Sequence, residues 1–169
     1  METFLTIASK RDLRSYAPDP IPGDVLRRVL EAGRLSGNAR NRQQRRFVVL
    51  SEATRERAAS VVTRPSNLER AAAAIAIVTH RTPWAGFDAG RSSQSMMLAA
   101  WSEGVGSCPN AIADAQTCAA LLQLNEDEEV AVILSFGYPP RLRDPRSRSI
   151  EDWLSGADRK PLRTMVSEV

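Results

Sequence analysis

Histidine is almost missing from this chain, which carries only His80. A lone imidazole beside two cysteines leaves no set of ligands for a metal, and none is expected. Cys108 and Cys118 lie ten positions apart, without CxxC spacing and without enough partners for a disulfide framework. Aromatic residues make up only 5% of the chain, so stacking platforms for single-stranded bases are few. No apolar run approaches the roughly 20 residues that span a bilayer. Around the first apolar stretch, Glu2 and Lys10 lack the pattern of a signal peptide. The dinucleotide fingerprint GxGxxG is absent as well. These absences point to a reduced cytoplasmic protein with no membrane partner.

What is present suffices for one domain spanning residues 1–169 with a sizeable core, since 43% of the residues are hydrophobic. The net charge of +3 rests mostly on arginine. Such an excess suits nucleic acid, an anionic cofactor or a solvated surface. Given the scarcity of aromatics, no nucleic-acid partner is expected.

Periodicity predicts a short helix over Met1–Ser9 with Phe4, Leu5 and Ile7 toward a core. The prolines at 18, 20 and 22 hold the next segment extended, because each disfavours helix in its predecessor. A helix follows from Asp24, with Val25, Leu26, Val29, Leu30 and Ala32 at amphipathic spacing and Gly33 and Gly37 at its end. Strands are expected at Phe47–Leu50, Ala74–Thr79 and Glu129–Phe136. Helices are expected at Leu68–Ala74, Gly86–Glu103, Ala115–Leu122 and around Ile150–Leu154. The fold class is α+β, a small central sheet flanked by helices. Three strands are thin for a lone monomer. The long central helix, with Met96, Met97, Leu98 and Trp101, is either a dimer-forming surface or an ordinary buried helix.

Three clusters carry chemistry. Lys10, Arg11 and Arg14 stand within five positions of one another, and such cations can converge on a phosphate. Asp12 among them would accept a hydroxyl or hold an arginine. The same run also reads as a solvated basic turn. Asn38, Asn41 and Gln43 lie in a loop before a strand, where amides offer donors and acceptors to a ring that alternates the two. A polar turn is the alternative. Gly104 to Ala111 is rich in small residues whose backbone can approach a planar ligand, or it is a tight connection between helices.

In order and spacing the chain resembles the nitroreductase family. That family usually shows Arg-Arg-Ser/Asp-x-Arg-x-Phe and later Ala-Pro-Ser-x-x-Asn-x-Gln-Pro-Trp. Here Lys10 to Tyr16, the proline-rich segment, a helix, and then Asn41-Arg42-Gln43 before Phe47-Val48-Val49 follow that plan. Phe87-Asp88-Ala89-Gly90-Arg91 with Gln94 and Met96 to Ala100 is similar to its central helix. Gly137-Tyr138-Pro139 and Arg159-Lys160-Pro161-Leu162 are similar to its late strand ending and closing element.

The resemblance implies a nitroreductase-like fold that binds FMN at a homodimer interface. It implies hydride transfer from NAD(P)H (NADH or NADPH) through flavin to a small electrophilic acceptor, a nitroaromatic or quinone. Lys10, Arg11, Asp12 and Arg14 would hold the phosphate and ribityl chain, with Arg159 and Lys160 completing the grip. Asn38, Asn41 and Gln43 would reach the flavin of the other subunit. Backbone at Pro109, Asn110 and Ala111 would lie against the ring. No side chain is expected to act as catalytic acid, and His80 reads as structural. A flavin-binding protein with little turnover and a deazaflavin-dependent reductase are the alternatives. Gln44-Arg45 replaces the family's Pro-Trp, so Arg45 and Arg46 form either an exposed basic edge or a feature favouring an anionic substrate.

Overall fold

The computed structural model describes residues 2–141 and 143–168. In chain order its helices are α1 (Thr3–Ser9), α2 (Gly23–Leu35), α3 (Glu52–Ala59), α4 (Ser66–Glu69), α5 (Ala85–Ser102), α6 (Ala115–Leu121) and α7 (Ile150–Ser155). The strands are β1 (Arg45–Val49), β2 (Ala73–His80), β3 (Gly106–Asn110) and β4 (Glu128–Gly137). Two compact units result: Arg11–Arg143, and the two ends of the chain, Met1–Lys10 with Asp144–Val169.

The larger unit is built on one antiparallel sheet in the order β1-β2-β4-β3. Side chains alternate across a strand, so β2 serves two cores at once. Ile75 and Ile77 join Val25 and Val29 of α2 and Met96 and Met97 of α5 on one face. Ala74 and Ala76 join Ala58 of α3, Leu68 of α4 and Cys118 of α6 on the other. On β4, Leu134 and Phe136 belong to the first core and Ile133 to the second. A register shift opposite Ile77 and Val78 skips Ala131. That extra residue turns Val130 to the second core while Val132 stays with the first, the usual effect of a bulge.

The sheet has four strands where three were expected. The missed one is β3, read from its glycine and proline as a connection between helices. Those residues weaken a strand in isolation; pairing of Gly106–Asn110 with Ile133–Gly137 supplies what propensity lacks. Leu68–Ala74 is not one helix: α4 ends at Glu69 and β2 begins at Ala73. Alanine favours helix, but here it lets β2 pack tightly under α3 and α6. Helix α3, started by Ser51 accepting from the Thr54 amide, lies where no element was expected.

In the smaller unit, α1 starts at Thr3, where the Glu2 carboxylate accepts the amides of Phe4 and Leu5. Met1 lies outside the described residues. Thr6, Ala8 and Ser9 face inward, whereas Phe4 and Ile7 are about half exposed, against expectation. Helix α7 opens with a capping box between Ser149 and Asp152.

Candidate functional site

The basic run before the proline-rich segment is extended, not a helical turn. Leu13 donates its amide to Ser107 O at 3.0 Å, Asp12 forms a parallel bridge with Ser107, and Ala17 donates to Tyr138 O at 2.8 Å. The segment therefore runs beside the ends of β3 and β4. Two glycines permit this approach: a Cβ on Gly106 would lie 2.4 Å from Leu13 Cδ1, and one on Gly137 would lie 2.7 Å from Tyr16 Cβ. Leu13 and Tyr16 point into the protein, which leaves Asp12, Arg14 and Ser15 outward.

These three line a cavity of about 440 Å³ with Pro140, Arg141 and Arg143. Three guanidinium groups thus border one space from opposite ends of the unit's chain. Arg14 also borders a second cavity of about 180 Å³, shared with Thr63, Arg64, Asn67, Pro109, Asn110 and Ala111. Arg14, Asp12 and Pro109–Ala111, singled out from sequence, are therefore gathered around adjoining spaces. Lys10 and Arg11 line neither one. Arg141, Arg143, Arg64 and Asn67 went unnoticed, because the only signal was the general abundance of arginine.

Between these cavities and the core lies a buried polar network. Tyr16 donates its hydroxyl to Leu13 O at 2.7 Å and meets Ser135 Oγ at 2.9 Å. Burial pushes the Tyr16 phenol above its ordinary range. Asn110 donates to Cys108 O, Ile133 O and Ser135 Oγ, and its Oδ1 accepts from Asn67 Nδ2 at 2.9 Å. The Asn110 side chain is consequently committed to the protein interior; its backbone alone is available to a ligand. Ser107 Oγ is buried without a hydrogen-bond partner at the Asp12 bridge.

The amide loop lines a different cavity, of about 370 Å³, formed by Asn38, Ala39, Arg40, Arg42, Trp84, Phe87 and Arg91. Asn38 Oδ1 accepts the Gln43 amide at 2.7 Å and so closes the loop. Arg40, Asn41 and Gln43 all have φ between 52° and 55°, the left-handed region that costs non-glycine residues energy. Asn41 and Gln43 are exposed outside the cavity lining. Within one chain, then, Asn38 shares no cavity with Arg14 or Pro109.

Arg159 and Lys160, in the smaller unit, are exposed, and Arg159 Nη1 donates to Ala157 O at 2.8 Å. Arg46 is no free basic edge: it grips Glu128 at 2.7 and 2.9 Å. Arg45 turns inward to the carbonyls of Gly33 and Ser36. His80 Nδ1 lies 2.7 Å from Asp127 Oδ2. Among the described residues no group of three His, Cys, Asp or Glu could hold a metal, and no helix is long and apolar enough to cross a membrane.

A four-stranded antiparallel sheet between two helical layers, with arginine-lined cavities at the ends of β3 and β4, invites comparison with known proteins. The nitroreductase family model matches residues 7–81 and 63–138, and the chain belongs to that family. Among solved structures it is similar to the NADPH:FMN oxidoreductase of Vibrio harveyi complexed with NAD+. That likeness has 21% identity and a TM-score of 0.83, over 98% of this chain and 76% of that one. A nitroreductase family protein of Clostridium difficile matches at 20% identity and a TM-score of 0.80, covering 99% and 98%. Nitroreductase A of Vibrio parahaemolyticus matches at 22% and 0.77, covering 84% and 69%. No curated protein matches the chain.

Proposed function

We propose that this chain is an FMN-dependent NAD(P)H oxidoreductase that reduces small electrophilic acceptors of the nitroaromatic or quinone type. The observation that carries the reading is the position of Arg14 on two adjoining cavities, one cationic and one walled by the backbone of β3. A phosphomonoester needs the first and a flat ring the second. Arg14, Arg141 and Arg143 bind the phosphate through charge-assisted hydrogen bonds. Asp12, on the cationic cavity, faces the ribityl hydroxyls. Pro109, Asn110 and Ala111 present backbone to the ring, and Asn67 and Arg64 close its edge. When bound, FMN supplies the two-electron hydride chemistry that none of these side chains can perform. The network from Tyr16 to Asn110 keeps the phosphate-binding segment and the ring-facing strand in fixed relation, so little reorganisation accompanies binding. Arg11 remains part of the proposed grip through the family resemblance, whereas Lys10, Arg159 and Lys160 belong to the smaller unit.

Asn38, Asn41 and Gln43 serve a second copy of the chain, which fits a loop sharing no cavity with Arg14. The proposed homodimer forms along α5. Its methionines are spent on the chain's own core, and the outward Gly86, Gly90, Gln94 and Ser95 border an open cavity of about 540 Å³. Both cysteines are buried and outside any disulfide, which suits a reducing, cytoplasmic setting.

Purified protein should be yellow and should release FMN on denaturation. Arg14→Ala should weaken FMN at least tenfold, the loss of about 1.4 kcal/mol expected when one ionic hydrogen-bond pair goes. A colourless protein that cannot be reconstituted with FMN would overturn the reading. Yellow protein that fails to oxidise NADPH with a quinone would leave flavin binding without turnover.

A further inference from the structure

The cavity at the amide loop has a chemistry of its own. Arg40, Arg42 and Arg91 line it, and none of them forms an ion pair among the described residues. The one carboxylate beside the loop, Asp88, is turned to the Ala39 amide at 3.3 Å. Trp84 and Phe87, 56% and 65% exposed, supply flat apolar walls. Arg91 lies 5.6 Å from the centre of the Phe87 ring, so cation and ring already face each other.

The loop's conformation serves this arrangement. Arg40 at φ 52° and ψ 26° is strained, and the strain is held by Asn38 Oδ1 on the Gln43 amide and by Asp88 on the Ala39 amide. Gly37 leaves room for the Arg91 guanidinium, which would lie 2.4 Å from a Cβ there. Arg45, behind the loop, adds positive charge, although burial pulls it below the ordinary guanidinium range. Uncompensated cations around an aromatic-walled space of about 370 Å³ fit one planar aromatic ring with an anionic substituent.

We infer that this cavity, at the loop whose Asn38 serves the flavin of a second copy, is the acceptor subsite for that flavin and that it selects aromatic carboxylates over neutral aromatics of the same shape. The inference rests on the oxidoreductase reading above and adds its substrate class. The carboxylate sits between Arg42 and Arg91 while the ring stacks on Trp84 or Phe87. Two guanidinium groups can share one carboxylate here, which gives more than a single exposed ion pair.

4-Nitrobenzoate and 4-nitrobenzamide provide the test, since they differ in charge and hardly in shape. Each nitro group reduced to a hydroxylamine consumes two NADPH and two protons and releases one water. The ratio of kcat/KM for carboxylate over amide should exceed about ten, as one good charged contact allows. Arg91→Gln and Arg42→Gln should each lower that ratio at least fivefold, whereas Arg57→Gln, at an exposed position of α3, should leave it unchanged. A wild-type ratio near one, or a ratio that the two variants do not move, overturns the inference.

Binding gives a readout that needs no turnover. Quenching of tryptophan fluorescence by 4-nitrobenzoate should saturate, weaken with salt, and disappear in Trp84→Phe. Saturable quenching in a protein without flavin would support the subsite while sinking the proposed function. Flavin reduction without saturable, salt-sensitive quenching would do the reverse.

Discussion

Asn110 is buried at 3% exposure and satisfies four partners, two of them backbone carbonyls, Cys108 O of its own strand and Ile133 O of β4. Replacing it by Ala strands the Asn67 amide and loosens β3 where it faces the proposed ring site. We expect Asn110→Ala to cost about 1–3 kcal/mol in urea unfolding, the range for a buried polar group left unpaired, and to weaken FMN binding as well. Unchanged stability would show that water replaces the amide at no cost. Gly137→Ala sets a different problem: the new methyl meets Tyr16 close to its backbone, where rotamer changes give no relief. The expected loss is about 1–3 kcal/mol in the same assay, typical of overpacking.

Between elements, one ion pair deserves a pH experiment. Arg46 on β1 reaches past β2 to Glu128 at the start of β4, at 2.7 Å. The hydrogen bond from Arg46, then the Asn125 amide, lowers the Glu128 carboxyl from 4.5 to about 2. A depressed folded-state value means the contribution is complete above the unfolded value and fades as pH falls from about 4.5 toward 2. Thermal melts should show this acid limb in the wild type and a shallower one in Glu128→Gln, which should also be less stable at neutral pH by about 1 kcal/mol. Equal slopes in the two proteins would remove the pair from any account of acid stability. The elements themselves were unevenly legible. β2 and β4 are rich in Ile, Val and Leu and announce themselves; α2 does so by its amphipathic stripe. β3 does not, because Gly-Ser-Cys-Pro-Asn becomes a strand only through its partner.

For the whole molecule, the shared-site reading makes light scattering decisive. The expected mass is twice the 18.6 kDa of one chain, and a monomer that still holds FMN tightly would dismiss the interface. Exposed Phe4 and Ile7 give such an assembly apolar surface to bury. If residues 1–169 act as one domain, thermal unfolding should be a single cooperative transition by both fluorescence and circular dichroism. Two separated transitions would assign the ends of the chain an independent stability.

Local periodicity and motif order by themselves determined the α+β class, most helices, three of the strands and the family, since each is written in neighbouring residues. Arg14, Asp12 and Pro109 to Ala111 could be singled out as candidates the same way, because each cluster of charged or small residues is contiguous in the chain. Only the tertiary structure decided that Arg141, Arg143, Arg64 and Asn67 join them, that Asn110 turns its side chain inward, and that Arg40, Arg42 and Arg91 enclose a second space. These residues are dozens of positions apart or look like ordinary surface arginines. Strand pairing and the close approach permitted by Gly106 and Gly137 bring the first set together, and no linear spacing encodes that.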